Sequence, residues 1–223
     1  MKKLFGLVLS VIGICTIASI ASCASAPYKV LQTGDSAVLG QKTVFLDVAL
    51  APRSLAVLPL IDAGIYNAGV ASAEAAFKMV DETKLRLMRD SIADAYAGQF
   101  GAELVRAAYP FGQDEIYMNY FAEAGEETIA QLAALCEENE AEVIVAVVAQ
   151  AVCTGVGTFG IRGSHEMRLS LCVFDKQGQL LAQGEVRTPG RQFGATDTAG
   201  YGFLFDEGSA YFASLLQSLT VSP

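Results

Sequence analysis

Histidine is almost missing from this sequence: among 223 residues only His165 carries an imidazole. A serine or cysteine nucleophile needs a general base beside it, and here no second histidine is available for that role. One histidine with scattered cysteines also fails to give metal-ligand spacing. The cysteines Cys136, Cys153 and Cys172 have no near partner in sequence, so neither a zinc knuckle nor a redox pair is present. Basic residues are scarce as well, 15 against 24 acidic ones, for a formal net charge of −9. Such a chain repels phosphate backbones, which excludes nucleic acid as a partner, and it gains nothing from anionic lipid headgroups. Internal repeats and low-complexity segments are absent, and beyond the first 27 residues no apolar run is long enough to span a membrane.

The first 27 residues are different. Lys2 and Lys3 precede an uncharged apolar run, Leu4 to Ile20, and no charge appears again until Lys29. A basic start, an apolar stretch and small residues before a cleavage point make a secretory signal. The run ends in Ile20-Ala21-Ser22-Cys23, which resembles the lipobox of bacterial lipoproteins. That resemblance implies cleavage before Cys23, diacylglycerol on its thiol and an acyl chain such as palmitate on its new amino group. It makes Cys23 the lipid-attachment residue and the membrane a partner through that lipid. Ala24, in place of the aspartate that marks inner-membrane retention in the family, implies the outer membrane, with the protein facing the periplasm. Two other readings of the run stand beside this one: an uncleaved transmembrane anchor, and plain secretion with a free cysteine. Loss of residues 1–22 removes two lysines and no acid, leaving 201 residues with a net charge of −11. That length suffices for one domain with its own core.

From Cys23 onward the pattern predicts a lipid-attached tether and extended arm over 23–51, then a single α/β domain over 52–223. Within the arm Val44–Val48 is the best strand, and Ala51-Pro52-Arg53 breaks it. Ser54–Leu60, SLAVLPL, reads as a central strand buried on both faces. A helix follows over 83–108, with a start as early as Ser72, and its stripe is Leu85, Met88, Ile92, Ala95 and Tyr96. Ile116–Phe121 reads as a short strand, and Glu126 and Glu127 open a helix with buried Ile129, Leu132, Ala133 and Cys136. Val143–Val152 is the strongest strand; Gly155–Gly163 reverses it; Met167, Leu169, Leu171 and Val173 alternate with Arg168, Ser170, Cys172 and Phe174 along the next. Asp175-Lys176-Gln177-Gly178 forms a hairpin turn and Leu180–Arg187 returns. Residues 188–205 read as a loop, after which Asp206 caps a last helix bearing Tyr211, Leu215, Leu216 and Leu219. The expected order is β-α-β-α-β-β-β-α, a mixed sheet of about five strands with packed helices.

Three fragments carry a further resemblance: Pro52-Arg53-Ser54-Leu55-Ala56-Val57-Leu58-Pro59-Leu60, the helix-to-strand join Leu135 to Val145, and Val173-Phe174-Asp175-Lys176-Gln177-Gly178-Gln179-Leu180-Leu181. Together with the element order, they resemble the curli-secretion CsgG-like and TolB N-terminal-domain-like group of envelope proteins over residues 52–219. The resemblance implies secretion-pore subunits, activators of cell-wall synthases or envelope scaffolds, mostly non-enzymatic. A pore-forming hairpin of alternating apolar and polar residues is not found, which argues against a pore subunit.

Local motifs for chemistry fail one by one. Gly155-Val156-Gly157-Thr158-Phe159-Gly160 matches a dinucleotide fingerprint, but a strand pattern rather than a helix follows it. Gly34-Asp35-Ser36 resembles the start of a GDS-type esterase block, which also needs an aspartate three residues before a histidine near the C-terminus. Arg162-Gly163-Ser164 precede His165, so the pattern is broken and a turn is the better account. Glu137, Glu138, Glu140 and Glu142 supply the carboxylates a glycosidase would need, yet acids at a helix end are ordinarily a solvated face. Cys153 and Cys172, on neighbouring runs, are read either as a disulfide of an oxidising compartment or as small buried hydrophobes. A functional surface is expected near Arg187, Arg191, Thr196, Asp197 and Tyr201, and at Gly155–Gly163. The sequence therefore points to a non-enzymatic envelope lipoprotein with a protein partner and no catalytic, cofactor or metal residues. Its rival is a lipid-anchored hydrolase or small-ligand receptor.

Overall fold

The computed structural model describes residues 26–52, 82–110, 126–156, 162–194 and 198–220. Cys23, the SLAVLPL run and the expected strand Ile116–Phe121 lie outside the described residues. In chain order the elements are β1 (Tyr28–Gln32), α1 (Ser36–Leu39), β2 (Thr43–Leu46), β3 (Ala49–Pro52), α2 (Glu82–Phe100), β4 (Leu104–Ala107), α3 (Glu126–Glu138), β5 (Val143–Val156), β6 (Arg162–Asp175), β7 (Leu180–Arg187), β8 (Arg191–Gly194) and α4 (Thr198–Ser218).

The α/β class and the mixed sheet are as the sequence implies; among the described residues the sheet has eight strands where about five are expected. Its centre is the antiparallel hairpin of β5 and β6, each fourteen residues long. Two short strands lie end to end along the outer side of each. β2 pairs with Val143–Val145 and β3 with Val148–Ala151 on one side, both parallel. On the other side β7 and β8 both run antiparallel to β6. β4 extends the parallel half beyond β2, and β1 extends the antiparallel half beyond β7. The stretch expected as an arm thus contributes three strands, and β2 is completely buried inside the sheet.

Face assignment follows from alternation. Val143, Val145, Val147 and Ala149 of β5 join Met167, Leu169, Leu171 and Val173 of β6 in one core, with Met88, Ile92 and Tyr96 of α2 and Tyr201, Phe205, Phe212 and Leu216 of α4. The intervening Ile144, Ala146, Val148, Cys172 and Phe174 form a second core under Leu132 and Cys136 of α3. Because β5 is covered on both sides, it reads in the sequence as an unbroken apolar run. The chain steps from β2 outward to β4 through α2, then back across β2 to β5 through α3. Parallel crossovers are right-handed, so a reversal of direction puts successive helices on opposite faces. That is why α2 and α3 sit on opposite sides.

Two expectations need correction. The helix over 83–108 ends at Phe100, because Gly101 takes a left-handed φ of +69° and its N–H bonds back to the Ala97 carbonyl at 2.8 Å. Leu104, inside the expected helix, instead opens β4. The last helix starts at Thr198 rather than at Asp206, which is exposed in its middle. The glycines there read as loop signals, but they reflect packing. A Cβ at Gly200 would meet the Phe193 ring at 2.7 Å, so only glycine lets α4 lie this close to β8.

Gly98, by contrast, sits in α2 where an added Cβ would meet nothing within 4 Å. Both positions gain helix propensity on substitution, worth roughly 0.5–1 kcal/mol. Gly98→Ala should therefore raise the urea midpoint, while Gly200→Ala should lower it, since overpacking costs about 1–3 kcal/mol. Equal shifts of the same sign in the two denaturation curves would contradict the close approach of α4 to β8.

Candidate functional site

Along β6 the face shared with α3 changes character. Phe174 and Cys172 are buried among apolar neighbours, and then come Ser170, Arg168 and Glu166. Period two puts all five on one face. β7 places Arg187 directly opposite Arg168 and Glu185 opposite Ser170. Like charges facing one another across strands destabilise a sheet, and Glu166 relieves this pair. Its carboxylate, only 4 % exposed, accepts from Arg168 Nε at 2.6 Å and from Arg187 Nε at 2.8 Å. One buried negative charge thus holds two positive ones, and the cluster keeps a surplus positive charge. A cavity of about 110 Å³ adjoins it, lined by Arg168, Ser170, Glu185 and Arg187 with the backbone between them.

The neighbouring residue, His165, points to the opposite face. It stacks on Phe193 of β8, with ring centroids 4.4 Å apart, and meets Tyr201 of α4 through Nδ1 and the phenol oxygen at 3.1 Å. Nε2 is buried with no hydrogen-bond partner among the described residues. Burial pushes the imidazole down to about 4, so it is neutral at pH 7 and a weak base. Next to it Arg191 of β8 clamps Glu207 of α4 with Nε at 3.1 Å and Nη2 at 3.0 Å, and its guanidinium lies 4.2 Å from the Phe203 ring centre. The Tyr211 hydroxyl donates to the same carboxylate at 3.3 Å. These contacts fasten the first half of α4 to β8.

The residues expected to form one functional surface are therefore divided. Arg187 belongs to the Glu166 cluster on one face; Arg191 and buried Tyr201 belong to the other. Thr196 and Asp197 lie outside the described residues. Of the Gly155–Gly163 bend, Gly155 and Val156 close β5, Arg162 opens β6, and residues 157–161 are outside the described set. A strand does follow the glycines, as the pattern implies. Asp35 accepts from the Ala37 N–H at 2.9 Å and caps α1, so Gly34-Asp35-Ser36 is a turn and helix start. Glu142 pairs with Lys176 at 2.6 Å, and with Glu137 and Glu140 it lines an open groove of about 680 Å³ beside α3. Among the described residues no three His, Cys, Asp or Glu side chains gather as a metal site.

The disulfide reading is overturned by register. Cys172 faces Ala146 on β5 whereas Cys153 faces His165, seven residues further along, or about 23 Å at the rise of a strand. Cys172 is a free thiol, and burial pushes it up to about 12, so it is inert packing. Cys136 is likewise free and raised by burial. Glu166 and Arg168 are not among the residues that the sequence reading picks out. A signal for them exists: two charges two residues apart within a strand whose other face carries Met167, Leu169, Leu171 and Val173.

No family model matches the sequence, and no curated protein does. Solved structures of similar architecture exist. PelC from a Paraburkholderia phytofirmans dodecamer is 10 % identical, with a TM-score of 0.39, over 88 % of this chain and 99 % of its own. Lipoprotein GNA1162 from Neisseria meningitidis is 11 % identical, TM-score 0.31, over 78 % and 99 %. The LpoB C-terminal domain from Salmonella enterica is 11 % identical, TM-score 0.25, over 71 % and 84 %. At these identities and scores the likenesses carry no argument about activity or partner. Among the described residues no helix is long and apolar enough to cross a membrane.

Two measurements check the site. Since His165 is held below its ordinary value of 6.5, the unfolded chain binds more protons between pH 4 and 6.5. Its contribution to stability is complete above pH 6.5 and is lost toward pH 4, with a slope of at most about 1.4 kcal/mol per pH unit. Urea titrations across that window should lose this component of the slope in His165→Phe. Separately, Glu166→Gln leaves two arginines facing each other and should cost about 1.5–3 kcal/mol, more than Arg187→Gln, whose side chain is 62 % exposed. The reverse order would mean that Glu166 does not hold the pair.

Proposed function

We propose that this chain is a bacterial cell-envelope lipoprotein, non-enzymatic, that binds a protein partner in envelope assembly or secretion. Residues 1–22 act as the signal peptide, Cys23 carries the lipid, and the protein faces the periplasm from the outer membrane. The observation that carries the reading is Ile20-Ala21-Ser22-Cys23 at the end of the Leu4–Ile20 run. Anchoring by lipid also suits the charge. A chain this acidic gains no hold on anionic headgroups, and stable attachment needs more than one acyl chain, which a fully acylated cysteine provides. The sheet gives the tether a length. Tyr28 of β1 is five positions after Cys23, a reach of at most about 18 Å. The β1 edge is thus held near the bilayer, and a partner would meet the sheet faces and helices beyond it. Membership of the CsgG-like and TolB N-terminal-domain-like group fits the mixed sheet and its helices, and the same group supplies the non-enzymatic scaffold role.

The rival, a lipid-anchored hydrolase or small-ligand receptor, would use the open groove beside α3. There Glu142 is tied to Lys176 and no histidine is at hand, so the groove has carboxylates without a differentiated acid and base.

The intact mass of the protein taken from membranes tests the tether. Loss of residues 1–22 with a gain of two or three acyl chains is expected, and Cys23→Ala should remain uncleaved and unmodified. An unmodified full-length mass in the unsubstituted protein would make the apolar run a membrane anchor, and cleavage without lipid would make this a free secreted domain.

A further inference from the structure

The Glu166 cluster has more donors than its own carboxylate uses. Each guanidinium presents five N–H groups in a fixed fork. Arg168 and Arg187 each spend one, the Nε–H, on Glu166. Among the described residues neither guanidinium has another hydrogen-bonded partner, so the Nη groups of both remain available. Arg168 is 27 % exposed and Arg187 62 % exposed, while the carboxylate that orients them is almost fully buried. The cluster therefore has the build of a receptor: a buried anchor and an accessible pair of forks. Beside it lies the cavity of about 110 Å³, space for several waters and hence for one small oxyanion.

We propose that Arg168 and Arg187, held in place by Glu166, bind a single carboxylate group in the cavity between β6 and β7. Two features of the site favour a carboxylate over a phosphate. The surplus charge of the Glu166–Arg168–Arg187 cluster is one positive unit, which one monoanion neutralises. Glu185, also lining the cavity, opposes additional negative charge, and a phosphate group carries about −1.5 to −2 at neutral pH. Lys29 of β1 is opposite Glu185 in the register and offsets it in part. The guanidinium fork also matches the planar carboxylate with two parallel N–H···O bonds. Ser170, opposite Glu185 on the same face, adds a hydroxyl to the wall. The assignment is independent of the lipid tether, since it concerns only the β6–β7 surface.

The arginine Nε–H resonances report on the site directly. The whole chain in a non-ionic detergent would be titrated with N-acetylalanine, a monocarboxylate, with inorganic phosphate and with sodium chloride at matched ionic strength. Saturable shifts of the Arg168 and Arg187 signals by N-acetylalanine are expected, without saturation by chloride. Arg187→Gln, which leaves the Glu166–Arg168 bond in place and so keeps the fold, should weaken the response about tenfold, as the loss of a charge-assisted pair implies. Arg187→Lys should restore part of it, and Arg86→Gln on the exposed side of α2 should leave it unchanged. Linear shifts with no saturation, tighter binding of phosphate than of N-acetylalanine, or an undiminished response in Arg187→Gln would each overturn the proposal.

Discussion

The pairing of β5 with β6 is the constraint from which the rest of the molecule follows. These two long strands supply the inner edges against which β2, β3, β7 and β8 are laid. Their register also decides which residues face which layer of helices. A slip by one residue would turn Glu166 and Arg168 toward α2 and α4 and send Met167 and Leu169 to the other side. Burying unpaired charge under two helices is costly enough to forbid that alternative. The polar residues of β6 thus help to specify the register that buries its apolar ones.

The same strand shows how a sheet can separate two tasks by a single residue. His165 looks toward the α4 side, where a neutral imidazole packs flat on Phe193 and helps to seat the helix. Glu166 looks the other way, where its charge is balanced by arginines on its own strand and on the next. One site is closed, aromatic and structural; the other is open, ionic and accessible. Their chemistry differs because α4 covers the first, while α3 covers only the Cys172 and Phe174 end of the second face.

The central elements are legible in the sequence and the peripheral ones are not, for physical reasons. Val143–Val152 and the alternation through Val173 stand out because burial on one or both faces writes directly into residue pattern, and the Asp175–Gly178 turn stands out through its aspartate and glycine. The four-residue strands β3, β4 and β8 are too short to show a period; β3 and β8 exist because long neighbours offer them free edges, and β4 because β2 does. Gly200 reads as a breaker in isolation and becomes a packing device only once Phe193 lies beneath it. The ion cluster is hidden for a related reason. Arg187 is twenty-one residues from Glu166, and only the hairpin register brings them together. Cys153 and Cys172 illustrate the converse, since adjacent strands do not make adjacent cysteines.

The placement of β2 has a kinetic consequence. Thr43 is paired with Val143, a hundred residues later in the chain, and Gly34 donates to the carbonyl of Leu219 near the other end. Contacts of such separation must overcome the entropy of closing long loops before they stabilise anything, and topologies rich in them fold slowly. Until β5 has been synthesised, β3 has no edge to join and β2 has only that of the four-residue β4. A growing chain of this topology cannot complete its sheet until most of it has been synthesised.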